Sequence, residues 1–161
     1  TAARLLLRQG RLDEALAAFQ LALEAAPPGS LNASLLPLDL GSLYLLLDQP
    51  LPAAGEMERA LALRPALIPA QAGLGDVALW QRDATGAAEI YAEALANSAR
   101  YRPLTDQENF DTFRAVTQAK LALALRLAGE EAVATEEMAA ALSLAEGLAT
   151  ATPRNPCAHM R

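Results

Sequence analysis

The sequence predicts an all-α chain built from about four helical hairpins in series. Three observations carry that expectation. Hydrophobic residues make up 53% of the 161; most are Ala and Leu, which favour helix, and β-branched and aromatic residues are scarce. Small and large residues also recur at a fixed period. A step of 34 takes Leu40 to Leu74, Gly41 to Gly75, Tyr44 to Ala78, Ala53 to Ala87, Met57 to Tyr91 and Ala60 to Ala94. The pattern continues across insertions. A step of 38 backwards takes Ala53 to Ala15, Met57 to Phe19, Ala60 to Ala22 and Pro65 to Pro27. A step of 47 forwards takes Ala87 to Ala134, Tyr91 to Met138 and Ala94 to Ala141.

Each element follows from this register. Helices are expected at about 1–9, 12–26, 35–47, 51–64, 67–81, 84–98, 106–128 and 130–147. Gly10 and Gly129 mark turns between paired helices. Gly41 and Gly75, with Ala15, Ala53, Ala87 and Ala134, sit where helices cross closely and a larger side chain would push them apart. Phe19, Met57, Tyr91 and Met138 fill the space between hairpins, because no hairpin buries its apolar face alone. Pro27 and Pro65 stop second helices, and Pro37 and Pro52 are expected in first turns, where a missing N–H costs little. Thr105-Asp-Gln-Glu108 reads as a capping box, starting the seventh helix near Asp106 and making it about two turns longer than its counterparts. The hairpins then span about 1–29, 34–67, 68–101 and 115–148, with an insertion at 102–114 and an extended or disordered tail at 149–161.

The stretch 9–27, with Gly10, Ala15, Phe19, Ala22 and Pro27, resembles the tetratricopeptide (TPR) repeat. So do Leu40-Gly41, Tyr44, Ala53, Met57, Ala60 and Pro65; Leu74-Gly75, Ala78, Ala87, Tyr91 and Ala94; and Gly129, Ala134, Met138 and Ala141. The resemblance covers roughly residues 1–148 and departs from the pattern at Ala122, where a glycine is expected. It implies a right-handed superhelix of stacked antiparallel hairpins, a TPR-like α-solenoid. The first helix of each hairpin would line a concave groove that holds a ligand. Carried over, those positions include Arg4, Arg8, Leu38, Leu45, Leu46, Asp76, Leu79, Trp80, Leu123, Arg126 and Leu127, with Leu7, Leu35, Ser42, Ala72, Val116 and Ala119 beside them. The list is mainly apolar with arginines at both ends. It implies a protein-interaction module or assembly scaffold, whose partner is a peptide or amphipathic helical segment with acidic flanks. The clamp that grips acidic chaperone tails in some family members is not matched, since Asp39, Pro69 and Gly73 stand where it needs Asn, Lys and Arg. The first hairpin is clipped, so the chain is expected to begin inside a longer protein or to have lost its start. That favours an alternative reading as a regulatory or targeting segment of a larger enzyme or a secretion or assembly machine.

Composition narrows the remaining classes. A net charge of −6 with scattered basic residues suits neither nucleic acid nor an anionic membrane surface. No apolar run reaches the roughly 20 residues of a membrane span; the run at 35–47 is broken by Pro37, Asp39 and Ser42. The single cysteine, Cys157, excludes an internal disulfide, and fits a reducing, cytoplasmic compartment without establishing one. The first residues lack the apolar core of a signal peptide. No catalytic, cofactor or metal site is expected. The only histidine, His159, stands in the tail with Cys157 and Met160, which is a weak soft-metal pattern there. Gly73-Leu-Gly75 has no preceding strand to make it a phosphate loop. Glu130-Glu131 and Glu136-Glu137 read as a solvated helix face. Phe110 and Phe113, with Tyr101, are read as packing back onto the preceding hairpin rather than as a partner contact. Self-association stays open.

Overall fold

The computed structural model describes residues 2–98 and 107–151. Among them are eight helices and no strand: α1 (Ala2–Arg8), α2 (Leu12–Glu24), α3 (Leu31–Leu46), α4 (Pro50–Leu63), α5 (Ile68–Trp80), α6 (Ala84–Ser98), α7 (Gln107–Leu127) and α8 (Glu131–Ala151). Consecutive helices pair into four antiparallel hairpins, and each hairpin's second helix packs on the first helix of the next. The first helices α3, α5 and α7 also touch in succession, forming the inner side of a right-handed solenoid.

The same turn joins the two helices of every hairpin. Gly10, Asp48, Arg82 and Gly129 all have positive φ, and they are spaced by the 38, 34 and 47 residues of the sequence register. At each, the next residue's N–H bonds back to a carbonyl five residues earlier: Arg11 to Leu6, Gln49 to Tyr44, Asp83 to Ala78 and Glu130 to Leu125, at 2.9–3.0 Å. This is the Schellman closure of a helix end. The second helix then begins at once, with the amides of Ala15, Ala53, Ala87 and Ala134 bonded to the carbonyls of Arg11, Gln49, Asp83 and Glu130. All four alanines are fully buried.

Each seam between hairpins has its own apolar cluster, as expected where a repeat contacts only its neighbours. Phe19, Leu40 and Leu43 fill the first; Met57, Leu67 and Ala70 the second; Tyr91, Ala94, Leu121 and Ala124 the third. Glycines admit the large residues. A Cβ on Gly75 would lie 2.6 Å from the Tyr91 ring, and one on Gly41 2.9 Å from Met57 Cε and 3.1 Å from the Ala53 carbonyl.

Three sequence expectations are corrected. α3 begins at Leu31 rather than near 35, because Ser30 caps it by accepting from the Ala33 amide at 3.1 Å. Pro37 therefore lies inside α3, not in its first turn, where it removes an intrahelical bond but buries its ring in the core. α8 runs on to Ala151, so 149–151 are helix and not tail. No proline interrupts it there, and the Thr150 hydroxyl donates to the Gly147 carbonyl at 2.9 Å. α7 and α8 have 21 residues each against 13 in α5, so the longer seventh helix is as expected. The capping box at 105–108, Tyr101 and the tail residues Cys157, His159 and Met160 lie outside the described residues.

Candidate functional site: the inner face

The groove residues named from the sequence separate into three groups. Leu38 and Leu45 are half-buried against the second-seam cluster, and Leu79 against the third. Their apolar surface is largely used by the chain's own packing. Leu46, Trp80, Leu123 and Leu127 are exposed. Leu46, Trp80 and Leu127 are the last residues of α3, α5 and α7, and they stand at one register position. They form a ladder, 63%, 50% and 63% exposed, that climbs the solenoid one rung per hairpin. The corresponding last residue of α1 is Arg8, also exposed and without an ion-pair partner among the described residues.

The remaining charged residues are engaged within the chain. Arg4 donates to Asp39 at 2.8 Å, from α1 to α3. Asp76 on α5 accepts from Lys120 Nζ on α7 through both carboxylate oxygens at 2.7 Å, and from the Tyr91 hydroxyl on α6 at 2.6 Å. Arg126 meets Glu131 at 3.4 Å across the last turn. The positions carried over from the repeat do not include Lys120, yet the sequence holds a signal for it. Arg4–Asp39 and Asp76–Lys120 each join one register position of a hairpin to the position three residues earlier in the next hairpin's first helix, with the signs reversed. The intervening pair, Ser42 and Gly73, has nothing to bridge: Ser42 bonds its own helix at Leu38, and Gly73 leaves room for Met57. Both ion pairs are part-exposed, so each is worth about 0–1 kcal/mol. Their effect on the face is larger, because they neutralise Arg4 and Asp76 as contacts for an outside charge. Burial, then the hydrogen bond and the charge of Asp76, hold the Tyr91 hydroxyl well above the ordinary tyrosine pKa.

Of two concavities, one lies away from the ladder and the other at its Trp80 rung. The first, of about 240 Å³, lies between α1, the end of α2 and α3, and is lined by Arg4, Ala22, Ala26, Asn32, Leu36 and Asp39 among others. The second is an open depression at Leu79, Trp80 and Arg82. Phe113 packs into the third-seam cluster and Phe110 is half-buried, in line with the packing reading of the insertion. Glu137 accepts from Gln118 at 2.8 Å, and Glu131 is paired with Arg126. No group of three or more metal-ligating side chains occurs among the described residues. No helix among them is long and apolar enough to cross a membrane.

The solved structures that resemble this arrangement are helical-repeat proteins. BtubC (BKLC) from P. vanneervenii matches with a TM-score of 0.78 at 19% identity, over 99% of this chain and 66% of that one. The chain thus spans just under two thirds of that protein's length. The MamA protein matches with a TM-score of 0.67 at 18% identity, over 95% of this chain and 74% of that one. A putative kinesin light chain from Podosopora anserina, described as nearly identical TPR-like repeats, matches with a TM-score of 0.66 at 16% identity, over 92% and 73%. No protein-family model and no curated protein matches the sequence. At these identities the likeness establishes the fold: the chain is a TPR-like α-solenoid.

Proposed function

We propose that the chain is a protein-interaction module that seats a peptide or helical segment of a partner on its inner face and carries out no chemistry of its own. The observation that supports this best is the ladder of Leu46, Trp80 and Leu127. Packing elsewhere buries large residues at equivalent positions in successive hairpins, yet these three stay exposed at the ends of successive inner helices. Apolar groups aligned along one face mark interaction surfaces, and tryptophan is the residue most often dominant in them. The exposed charges beside the ladder that lack an ion-pair partner among the described residues include Arg8 and Arg82. An occupant with apolar anchors and acidic flanks fits that surface.

The test begins with capture of a partner by the intact chain and identification by mass spectrometry. Trp80→Ala is then expected to weaken binding by about 2 kcal/mol or more, the range of a dominant contact, with the melting temperature little changed because the side chain is half exposed. Wild-type affinity in a folded Trp80→Ala, Leu127→Ala chain would move the binding surface off this face.

A further inference from the structure

The turns beside the ladder carry opposite charges one hairpin apart. Two residues beyond the rungs Leu46, Trp80 and Leu127 stand the left-handed residues of the turns: Asp48 at φ 64°, Arg82 at φ 63° and Gly129 at φ 91°. Glycine suits this closure best, because a left-handed backbone is unfavourable for a residue with a Cβ. Nothing inside the chain offsets that cost at Asp48 or Arg82. Both are exposed, and neither side chain has a hydrogen bond or ion pair among the described residues. Helix dipoles do not account for the signs. Each turn lies between the C-terminal end of one helix and the start of the next, where neither sign is favoured.

The neighbouring acid, Asp83, is engaged: its carboxylate accepts from the Gly86 amide at 2.9 Å. Arg82 instead lines the open depression with Leu79 and Trp80. The turns at 48 and 82 share one hydrogen-bond pattern, Gln49 to Tyr44 and Asp83 to Ala78, so Asp48 stands beside Leu46 as Arg82 stands beside Trp80. We propose that Asp48 and Arg82 fix the direction in which a partner segment lies along the inner face. A basic residue of the segment pairs with Asp48 beside the Leu46 contact, and an acidic residue pairs with Arg82 beside the Trp80 contact. The proposal rests on the reading of the ladder as the binding surface and adds the charge pattern of its occupant. The rungs read Leu, Trp, Leu, so apolar contact alone admits a segment in either direction. Opposite charges at two successive rungs favour one direction and penalise the reverse, which brings like charges together.

Selection of short peptides from a random display library on the intact chain tests this. Binders that weaken on Trp80→Ala are expected to carry one basic and one acidic residue flanking their apolar anchors. On Arg82→Glu the selected peptides should carry two basic residues, and on Asp48→Lys two acidic ones. Arg82→Gly is expected to weaken a wild-type-selected peptide roughly three- to fivefold at low salt, as loss of an exposed ion pair does, and hardly at all at high salt. Direction is read with a nitroxide on the basic end of that peptide. It should broaden amide signals around Leu46 in the wild-type chain, and around Trp80 and Leu127 in the exchanged chain Asp48→Arg, Arg82→Asp. Trp80-dependent peptides without the charge pair, or a labelled peptide that keeps its direction on the exchanged chain, would overturn the proposal and leave the ladder standing. A selection that returns no binder, or only binders indifferent to Trp80→Ala, would overturn the ladder reading itself and the proposal with it.

Discussion

At the scale of single residues, the register rests on positions where volume or backbone conformation leaves little choice, and two of them behave in opposite ways. Gly75 lies against the Tyr91 ring, whose hydroxyl is tied to Asp76, so the ring has no free direction in which to retreat. Gly75→Ala gains up to about 1 kcal/mol of helix propensity but forces a methyl into that contact. The net expectation is a loss of about 1–2 kcal/mol, read by chemical denaturation; a stabilised protein would mean that the α5–α6 crossing is looser than described. Arg82 is the reverse case. It holds φ 63° in a turn whose counterparts include Gly10 and Gly129, and its side chain is exposed. A left-handed conformation costs a non-glycine residue about 1–2 kcal/mol. Arg82→Gly relieves that cost but loses part of the benefit to the greater unfolded-state entropy of glycine, so a net gain of up to about 1 kcal/mol is expected. A clear fall in the melting temperature would show that Arg82 is held by contacts that outweigh its backbone strain.

At the scale of elements, the helices and their pairing were legible because the small–large–small pattern repeats four times, and volume at a helix crossing is a local property of sequence. What was not legible depends on contacts between repeats. The sequence reading of Pro37 as a first-turn residue puts the start of α3 near 35, but Ser30 caps the helix and the Pro37 ring is buried inside it. The end of α8 is expected at 147, yet the helix runs on through Thr150, a residue of low propensity, to Ala151. Repeat position alone assigns residues to the inner face, and it does not distinguish leucines consumed by packing or charges paired across hairpins. The Asp76–Tyr91–Lys120 cluster, spanning α5, α6 and α7, is the clearest example and has a measurable signature. Tyr91→Phe is expected to cost about 1–2 kcal/mol at neutral pH, because a charge-assisted bond is lost while Asp76 keeps Lys120. The folded state holds the Tyr91 proton more tightly than the unfolded chain does. Stability from this source is therefore complete below the unfolded tyrosine pKa of about 10 and falls as the pH rises past it. The phenylalanine variant lacks that term, so the stability difference between the two proteins should narrow above about pH 10. A gap that stays constant from pH 7 to 11 would argue against a buried, Asp76-bound hydroxyl.

At the scale of the whole molecule, a solenoid has no single centre: each hairpin is stabilised by its own helices and by the seams on either side. The seams here are unequal. The first depends on α1, seven residues long and below the length at which an isolated helix persists in water, with Leu5 uncovered on its outer side. The third is reinforced by the buried Tyr91, by Phe113 from the extended α7 and by the Asp76–Lys120 pair. α5 and α6 have hairpins on both sides, whereas α1 and α8 each have one open face among the described residues. Local opening follows the number of buried contacts that must be broken. Amide hydrogen exchange is therefore expected to be graded along the chain: fastest in α1, slowest in the amides of α5, α6 and the part of α7 around Leu121 and Ala124, and intermediate in α8. Met57→Ala, which empties the second seam where Gly41 and Gly73 make room for that side chain, should cost about 2–4 kcal/mol. It should also loosen the N-terminal hairpins more than the third seam, because coupling passes only between neighbours. Uniform protection across all eight helices, or a Met57→Ala chain in which every helix exchanges faster by the same factor, would mean that the array folds as one cooperative block and that its stability is not divided seam by seam.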